Sequence, residues 1–223
     1  MLDFRRPSEH AQCTTCFNMS QVLRQPGVAI ADKLHIMGRL REHYKEQYLD
    51  RCVYWALRSA SRRSRPPPSP TSPDVLCIIV DSMDKSKFGM PRFPFGRISK
   101  DLAKHPRPRL VCTSAVAHGF ATCIYLADEA VVHGADACCE VIARTLEHVA
   151  RICAAEGRPM PSHLVIQSDN TPAQAKNACF VMFLANLVAK YKFQTTSLTF
   201  LIVGHTHEDV GRAAKPQRGL SRG

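Results

Sequence analysis

Three short apolar runs, each leading straight into acid, restrict this chain more than any other feature. They are "VLCIIVDSMDK" from Val75, "HLVIQSDNTPAQAKN" from His163 and "LTFLIVGHTHED" from Leu198. A continuous apolar run of about six residues is the pattern of a strand buried on both faces. Parallel strands of that kind need crossover connections, and the sequence supplies them. "GADACCEVIARTLEHVARICAAEG" precedes the second run and reads as a helix. Its apolar stripe is Cys138, Val141, Ile142, Leu146, Val149, Ile152 and Cys153, and Gly157 stops it. "AKNACFVMFLANLVAKYKF" precedes the third run and reads as a helix too apolar for the surface. "RLVCTSAVAHG" and "FATCIYLADEAV" read as two strands of an antiparallel hairpin turning at Gly119. The order is β-β-β-α-β-α-β, which predicts an α/β fold with a mixed five-stranded sheet.

Upstream of the sheet the pattern differs. Residues 1–27 are irregular and hold "HAQCTTC". Residues 28–63 carry a helical period, with Ile30, Leu34, Met37, Tyr44, Tyr48, Cys52 and Trp55 as the expected apolar face. Residues 64–74 form a Pro/Ser linker. Residues 75–211 make the core, and 212–223 read as an irregular tail with the character of a truncation.

Net charge is +11, with a pI near 9.4. Such an excess fits either a solvated basic surface or a polyanion partner such as DNA, contacted through its phosphate backbone. The expected contacts lie along the long helix: Lys33, Arg39, Arg41, Arg51, Arg58, Arg62 and Arg63. The same helix is a candidate for homo-oligomer formation. Seven of the ten cysteines sit inside apolar runs, and the N-terminus has no apolar signal core. Both features point to a reducing, intracellular compartment, and to the nucleus if the polyanion is DNA. No apolar stretch is long enough to span a bilayer, which excludes a helical membrane protein.

Asp81, Asp169 and the Glu208–Asp209 pair follow the three runs. Ligand sites gather where neighbouring parallel strands end. Converging carboxylates repel unless cations lie between them, and hard oxygen donors suit Mg²⁺ or Mn²⁺. Two such ions hold both oxygens of an in-line phosphodiester displacement. Taken one at a time, Asp81 and Asp169 read equally well as turn formers or helix N-caps.

The layout resembles the ribonuclease H-like nucleotidyl transferases, which include the DDE transposases and retroviral integrases. Asp169 to Glu208 spans 39 residues (208 − 169), a gap similar to theirs. "IIVDSMDKSKFGMPRFP", "SDNTPAQAKN" and "FLIVGHTHED" resemble the signature blocks of a transposon-derived domain-of-unknown-function family, number 7869, over residues 13–210. The resemblance implies an RNase H-like core with Asp81, Asp169 and either Glu208 or Asp209 as catalytic acids. Asp81, Asp169 and Asp209 would hold Mg²⁺ or Mn²⁺. Asn170, Asn177, His205 and His207 would position the acids or the substrate. In relatives a further acid often follows the Glu by three residues; here that place is Gly211. The implied protein is therefore a transposase-like nuclease or strand transferase, domesticated or truncated. The alternative is a catalytically dead nucleic-acid-binding protein of the same fold.

Two zinc readings complete the set. His205 and His207 point the same way on a strand, and with Asp169 or Asp209 they suit a zinc hydrolase. His10, Cys13 and Cys16 have the short spacing that closes on one tetrahedral zinc. A helix residue would complete that site: His35, with His43 and Cys52 as the other candidates.

Overall fold

A computed structural model of the chain describes residues 13–65, 74–82, 99–105, 108–128, 130–131, 134–168 and 175–200. Two helices come first, α1 (Thr14–Arg24) and α2 (Ile30–Arg63). There follow β1 (Val75–Ser82), a single turn α3 (Lys100–Ala103), β2 (Leu110–Ala117) and β3 (Ala121–Asp128). The chain then alternates: α4 (Ala135–Ala155), β4 (His163–Ser168), α5 (Ala178–Ala189) and β5 (Thr195–Phe200). The sheet runs β3-β2-β1-β4-β5. β2 is antiparallel to β1 and β3, while β4 is parallel to β1 and β5. That is the expected mixed five-stranded sheet, and it has the strand order and directions of the ribonuclease H-like fold.

Burial explains the order. β1 and β4 have five buried residues each in a row, because strands lie on both sides of them and helices cover their faces. β3 sits at an edge and alternates, leaving Ile124 and Leu126 exposed. On one face Leu76, Ile78, Val80, Leu164 and Ile166 pack against Ile142 and Val149 of α4 and Phe180 and Leu184 of α5. The α4 stripe follows the expected period, with one addition. Thr145 is fully buried; its Oγ1 donates to the Val141 carbonyl at 2.7 Å and bonds the Tyr125 hydroxyl at 2.9 Å. Those two bonds let a polar side chain sit in the core. The expectation for α5 is corrected. It buries Phe180 and Leu184, but Val181 and Met182 stay exposed, because only one stripe of this helix faces the sheet.

Two cysteines of α4 give a chemical test of this packing. Burial pushes the Cys138 thiol up to about 11. Burial, followed by the charges of Cys179, Cys138 and Asp136, pushes Cys139 up to about 12. The thiolate is the nucleophile, and at pH 8 it makes up only about one part in 10³ or less of such thiols. Iodoacetamide at pH 8 is expected to modify exposed Cys179 and to spare Cys138 and Cys139. Reaction of the latter pair should rise only as pH climbs toward 11. Labelling of Cys138 or Cys139 as fast as Cys179 would show that α4 is not packed as described.

The long helix α2 is a single unbroken rod despite Gly38 in its interior. Its inward face is not the expected one. Ile30, Leu34, Met37, Tyr44 and Tyr48 are all exposed. The side that turns in runs through Ile36, Leu40, His43, Gln47, Arg51, Tyr54, Arg58 and Ser61, all half-buried or buried. These follow one another at three- and four-residue steps, so they form one stripe. Most of them are polar, which hides the stripe from a search for apolar periodicity.

The C-terminal half of that stripe docks α2 onto the second face of the sheet. Tyr54 packs with Cys77 and Ile79 of β1. Its hydroxyl and the Nε2 of His118 share a hydrogen bond of 2.9 Å, with both residues buried. Ser61 Oγ donates to the His118 carbonyl at 2.7 Å and accepts from the Cys77 backbone N–H at 2.9 Å. Arg65 donates to the Gly119 carbonyl at 2.8 Å. The β2–β3 turn, with Gly119 at φ 86°, therefore sits directly under the last turn of α2. The two ends of the Pro/Ser stretch also meet, since the Val75 N–H donates to Ser64 Oγ at 3.1 Å. Among the described residues no helix is long and apolar enough to cross a membrane.

Candidate functional site

Asp81 stands near the C-terminal end of β1, the middle strand of the sheet. Side chains alternate along a strand, so Asp81 continues the face of Cys77 and Ile79, the face that carries α2. Its antiparallel partner is Ser114 of β2. The surrounding strand ends are polar. Ser82 and Thr113 hydroxyls bond each other at 3.0 Å. Gln167 of β4 pairs with Ile79 and accepts from Thr199 Oγ1 of β5 at 2.8 Å. Two buried polar atoms here, Ser114 Oγ and Gln167 Nε2, have no hydrogen-bond partner among the described residues. Burying such atoms unpaired costs about 1–3 kcal/mol each, so this end of the sheet carries polar capacity beyond what its own strands use.

Strand β4 ends at Ser168, which lies in parallel register beside Val80, the residue before Asp81. Asp169 follows Ser168 in the sequence. Asp169, Asn170, His205, His207, Glu208 and Asp209 lie outside the described residues, as does His10. Asn177, expected to position the acids or the substrate, is the N-cap of α5, and its Oδ1 accepts from the Phe180 N–H at 3.0 Å.

A second constellation forms between the first two helices. The ligand atoms of Cys13, Cys16 and His43 lie within 4.8 Å of one another. Cys13 is buried, and its Sγ is 3.4 Å from His43 Nε2. Cys13 precedes the first turn of α1 and Cys16 lies three residues on, so both thiols face the same side. His43 reaches them from the inward stripe of α2. His35, the helix residue expected in this role, lies two turns away, about 12 Å along the axis. It lines the open hollow between α1 and α2 with Thr15, Gly38 and Arg39 and is not part of the cluster. Burial raises the Cys13 thiol, but hydrogen bonds from Cys16 and Thr15 outweigh it, and the net shift is downward. Burial raises the Cys16 thiol, and the neighbouring Cys13 charge raises it further.

The basic residues divide into two groups. Arg39, Arg41, Arg62 and Arg63 are exposed along α2, while Lys33, Arg51 and Arg58 are half-buried. Arg58 is committed to the fold in part, because its guanidinium lies over the Tyr54 ring, 5.8 Å from the centroid.

Comparison with known proteins gives one family and a distant likeness to solved structures, two of which follow. The profile of the family described as "Domain of unknown function (DUF7869)" matches residues 100–213, just over half of the chain. A Mos1 transposase paired-end complex with left transposon end is similar at 10% identity, with a TM-score of 0.34. The similarity covers 92% of this chain and 62% of that one. The Mos1 strand transfer complex is similar at 11% identity and a TM-score of 0.33, covering 90% of this chain and 60% of that one. This chain therefore spans about three-fifths of the length of the structures it matches. No curated protein matches it.

Proposed function

The chain belongs to the DUF7869 family of domains of unknown function, and we propose that its core acts on nucleic-acid phosphodiesters in the manner of a transposase or nuclease. The observation that carries this reading is the parallel register of Val80 with Ser168. Each of those residues is followed directly by an aspartate, Asp81 and Asp169. If the register continued by one residue, the two carboxylates would lie side by side at neighbouring strand ends, on the face that also holds Ser114 and Gln167. β5 ends at Phe200, beside Ser168, and leads on to Glu208 and Asp209.

The donor set fits a hard divalent cation. Asp81 offers carboxylate oxygens from a half-buried strand end, and the polar atoms nearby are hydroxyl and amide groups. A bound Mg²⁺ or Mn²⁺ supplies charge neutralisation and an activated water for in-line attack at phosphorus. Asp81, Asp169 and one acid of the Glu208–Asp209 pair would hold the cation. Ser114 Oγ and Gln167 Nε2 offer hydrogen bonds to the carboxylates or to a phosphate oxygen. The exposed Arg39, Arg41, Arg62 and Arg63 contact phosphates without reading sequence.

The purified chain, incubated with Mn²⁺ and end-labelled duplex DNA, is the test, run beside Asp169→Asn. Cleavage by the natural chain and none by the variant, with DNA binding equal in both, is the expected result. Equal binding with no cleavage by either contradicts catalysis and leaves a nucleic-acid-binding protein of the same fold.

A further inference from the structure

We infer that Cys13, Cys16 and His43 form a zinc centre that fixes α1 to the N-terminal half of α2. Three observations meet at this place. The first is the geometry: two sulfurs and an imidazole nitrogen lie within 4.8 Å of one another, from residues 30 positions apart. Zinc–sulfur and zinc–nitrogen bonds run about 2.0–2.3 Å, so ligand atoms around one tetrahedral ion sit roughly 3.3–3.8 Å apart. The Cys13–His43 separation of 3.4 Å already has that value.

The second is the state of α1. It has eleven residues and buries none of them. A helix of that length is marginal alone, and tertiary contacts normally decide whether it forms. Here the buried group at its start is Cys13, which is drawn in against His43. A tetrahedral ion linking these side chains gives α1 the anchor that its apolar contacts do not.

The third is the position of His43 on α2. It belongs to the inward stripe, one turn before Gln47, and lies about three turns from Tyr54, where that stripe docks on the sheet. The stripe therefore presents this imidazole to the two sulfurs at the start of α1. Thiolate and imidazole donors select zinc over Mg²⁺ or Ca²⁺. Binding displaces the two thiol protons to solvent and uses the imidazole in its neutral form. The fourth position takes water or a further donor from the chain. No step of phosphodiester chemistry depends on this centre, so it stands or falls apart from the acids at the strand ends.

The full chain, purified without chelator, should carry one zinc per molecule. Replacement by Co²⁺ should give a thiolate-to-metal charge-transfer band and the strong d–d bands of a tetrahedral site. His43→Ala should weaken zinc by more than about 100-fold, beyond the usual effect of losing an outer hydrogen-bond partner. His35→Ala, eight residues away on the same helix, should leave affinity unchanged. Since ligand variants can loosen α1, alkylation of the natural chain supplies a second readout. Zinc should protect Cys13 and Cys16 from iodoacetamide, and its removal should expose both within one chain, as mapped by mass spectrometry. Zinc retained after Cys13→Ser with Cys16→Ser, equal effects of His43→Ala and His35→Ala, or a Cys13–Cys16 disulfide in the purified chain would each overturn the inference.

Discussion

Replacing Asp81 with Asn is expected to lower Mn²⁺-dependent cleavage of duplex DNA by roughly 10³-fold while leaving DNA binding intact. A bound cation contributes several kcal/mol of charge stabilisation to phosphoryl transfer, and each 1.36 kcal/mol is tenfold in rate. An amide keeps the size of the side chain and one oxygen, but it loses the negative charge that would hold the cation. Asp81 is half-buried at the end of the middle strand, so Asn fits without repacking. Asp101→Asn is the matched control: that carboxylate is exposed on α3 and pairs only loosely with Lys104 at 3.3 Å. Its cleavage rate should equal that of the natural chain. A salt titration separates the other contribution, since binding through the α2 arginines should fall steeply with ionic strength in every variant.

The largest stability effect is expected at Gly119. Its φ of 86° is strained for any residue with a side chain, and a Cβ there would lie 2.8 Å from the Arg62 Cα and 3.2 Å from the Ser61 carbonyl. Both obstacles are backbone, so neither can rotate aside. Gly119→Ala should cost about 1 kcal/mol for the dihedral and about 1–3 kcal/mol more for the overlap. Relief requires α2 to lift from the turn. That would break the Ser61 bonds to His118 and Cys77 and the Tyr54–His118 bond, leaving buried polar groups unpaired. Urea unfolding should show a loss of about 2–4 kcal/mol, or roughly 4–16 °C in Tm for a chain of this size. Gly157→Ala is the comparison: it also has positive φ, 64°, but nothing lies within 4 Å of its Cβ. It should cost only about 1 kcal/mol. Equal losses at the two sites would mean that α2 does not press on the turn.

The sheet is readable from the sequence because burial leaves a simple mark. Residues 76–80 and 164–168 are buried without interruption, and both stand out as apolar runs apart from the polar end Gln167–Ser168. The hairpin at Gly119 is readable because a tight turn with positive φ calls for glycine. The inward face of α2 is not readable. Its buried tyrosine and serine are satisfied by His118 and by the Cys77 N–H, which lie 64 and 16 residues away. Apolar periodicity instead picks out Ile30, Leu34 and Met37, which face solvent. The choice of His43 over His35 fails for a related reason. Both lie on α2, and only the placement of α1 against that helix selects between them. The spacing of Cys13 and Cys16 is informative because three residues is close to one helical turn. For the acids, the sequence supplies the positions, and the register of β1 with β4 reaches Val80 and Ser168, the residues that precede the first two.

Anomalous scattering from crystals of the chain grown with Mn²⁺ is the most direct measurement. The expected result is a manganese peak within coordination distance of carboxylate oxygens from both Asp81 and Asp169. Manganese bound by neither, with the two carboxylates on opposite faces of the sheet, would contradict the phosphodiester reading.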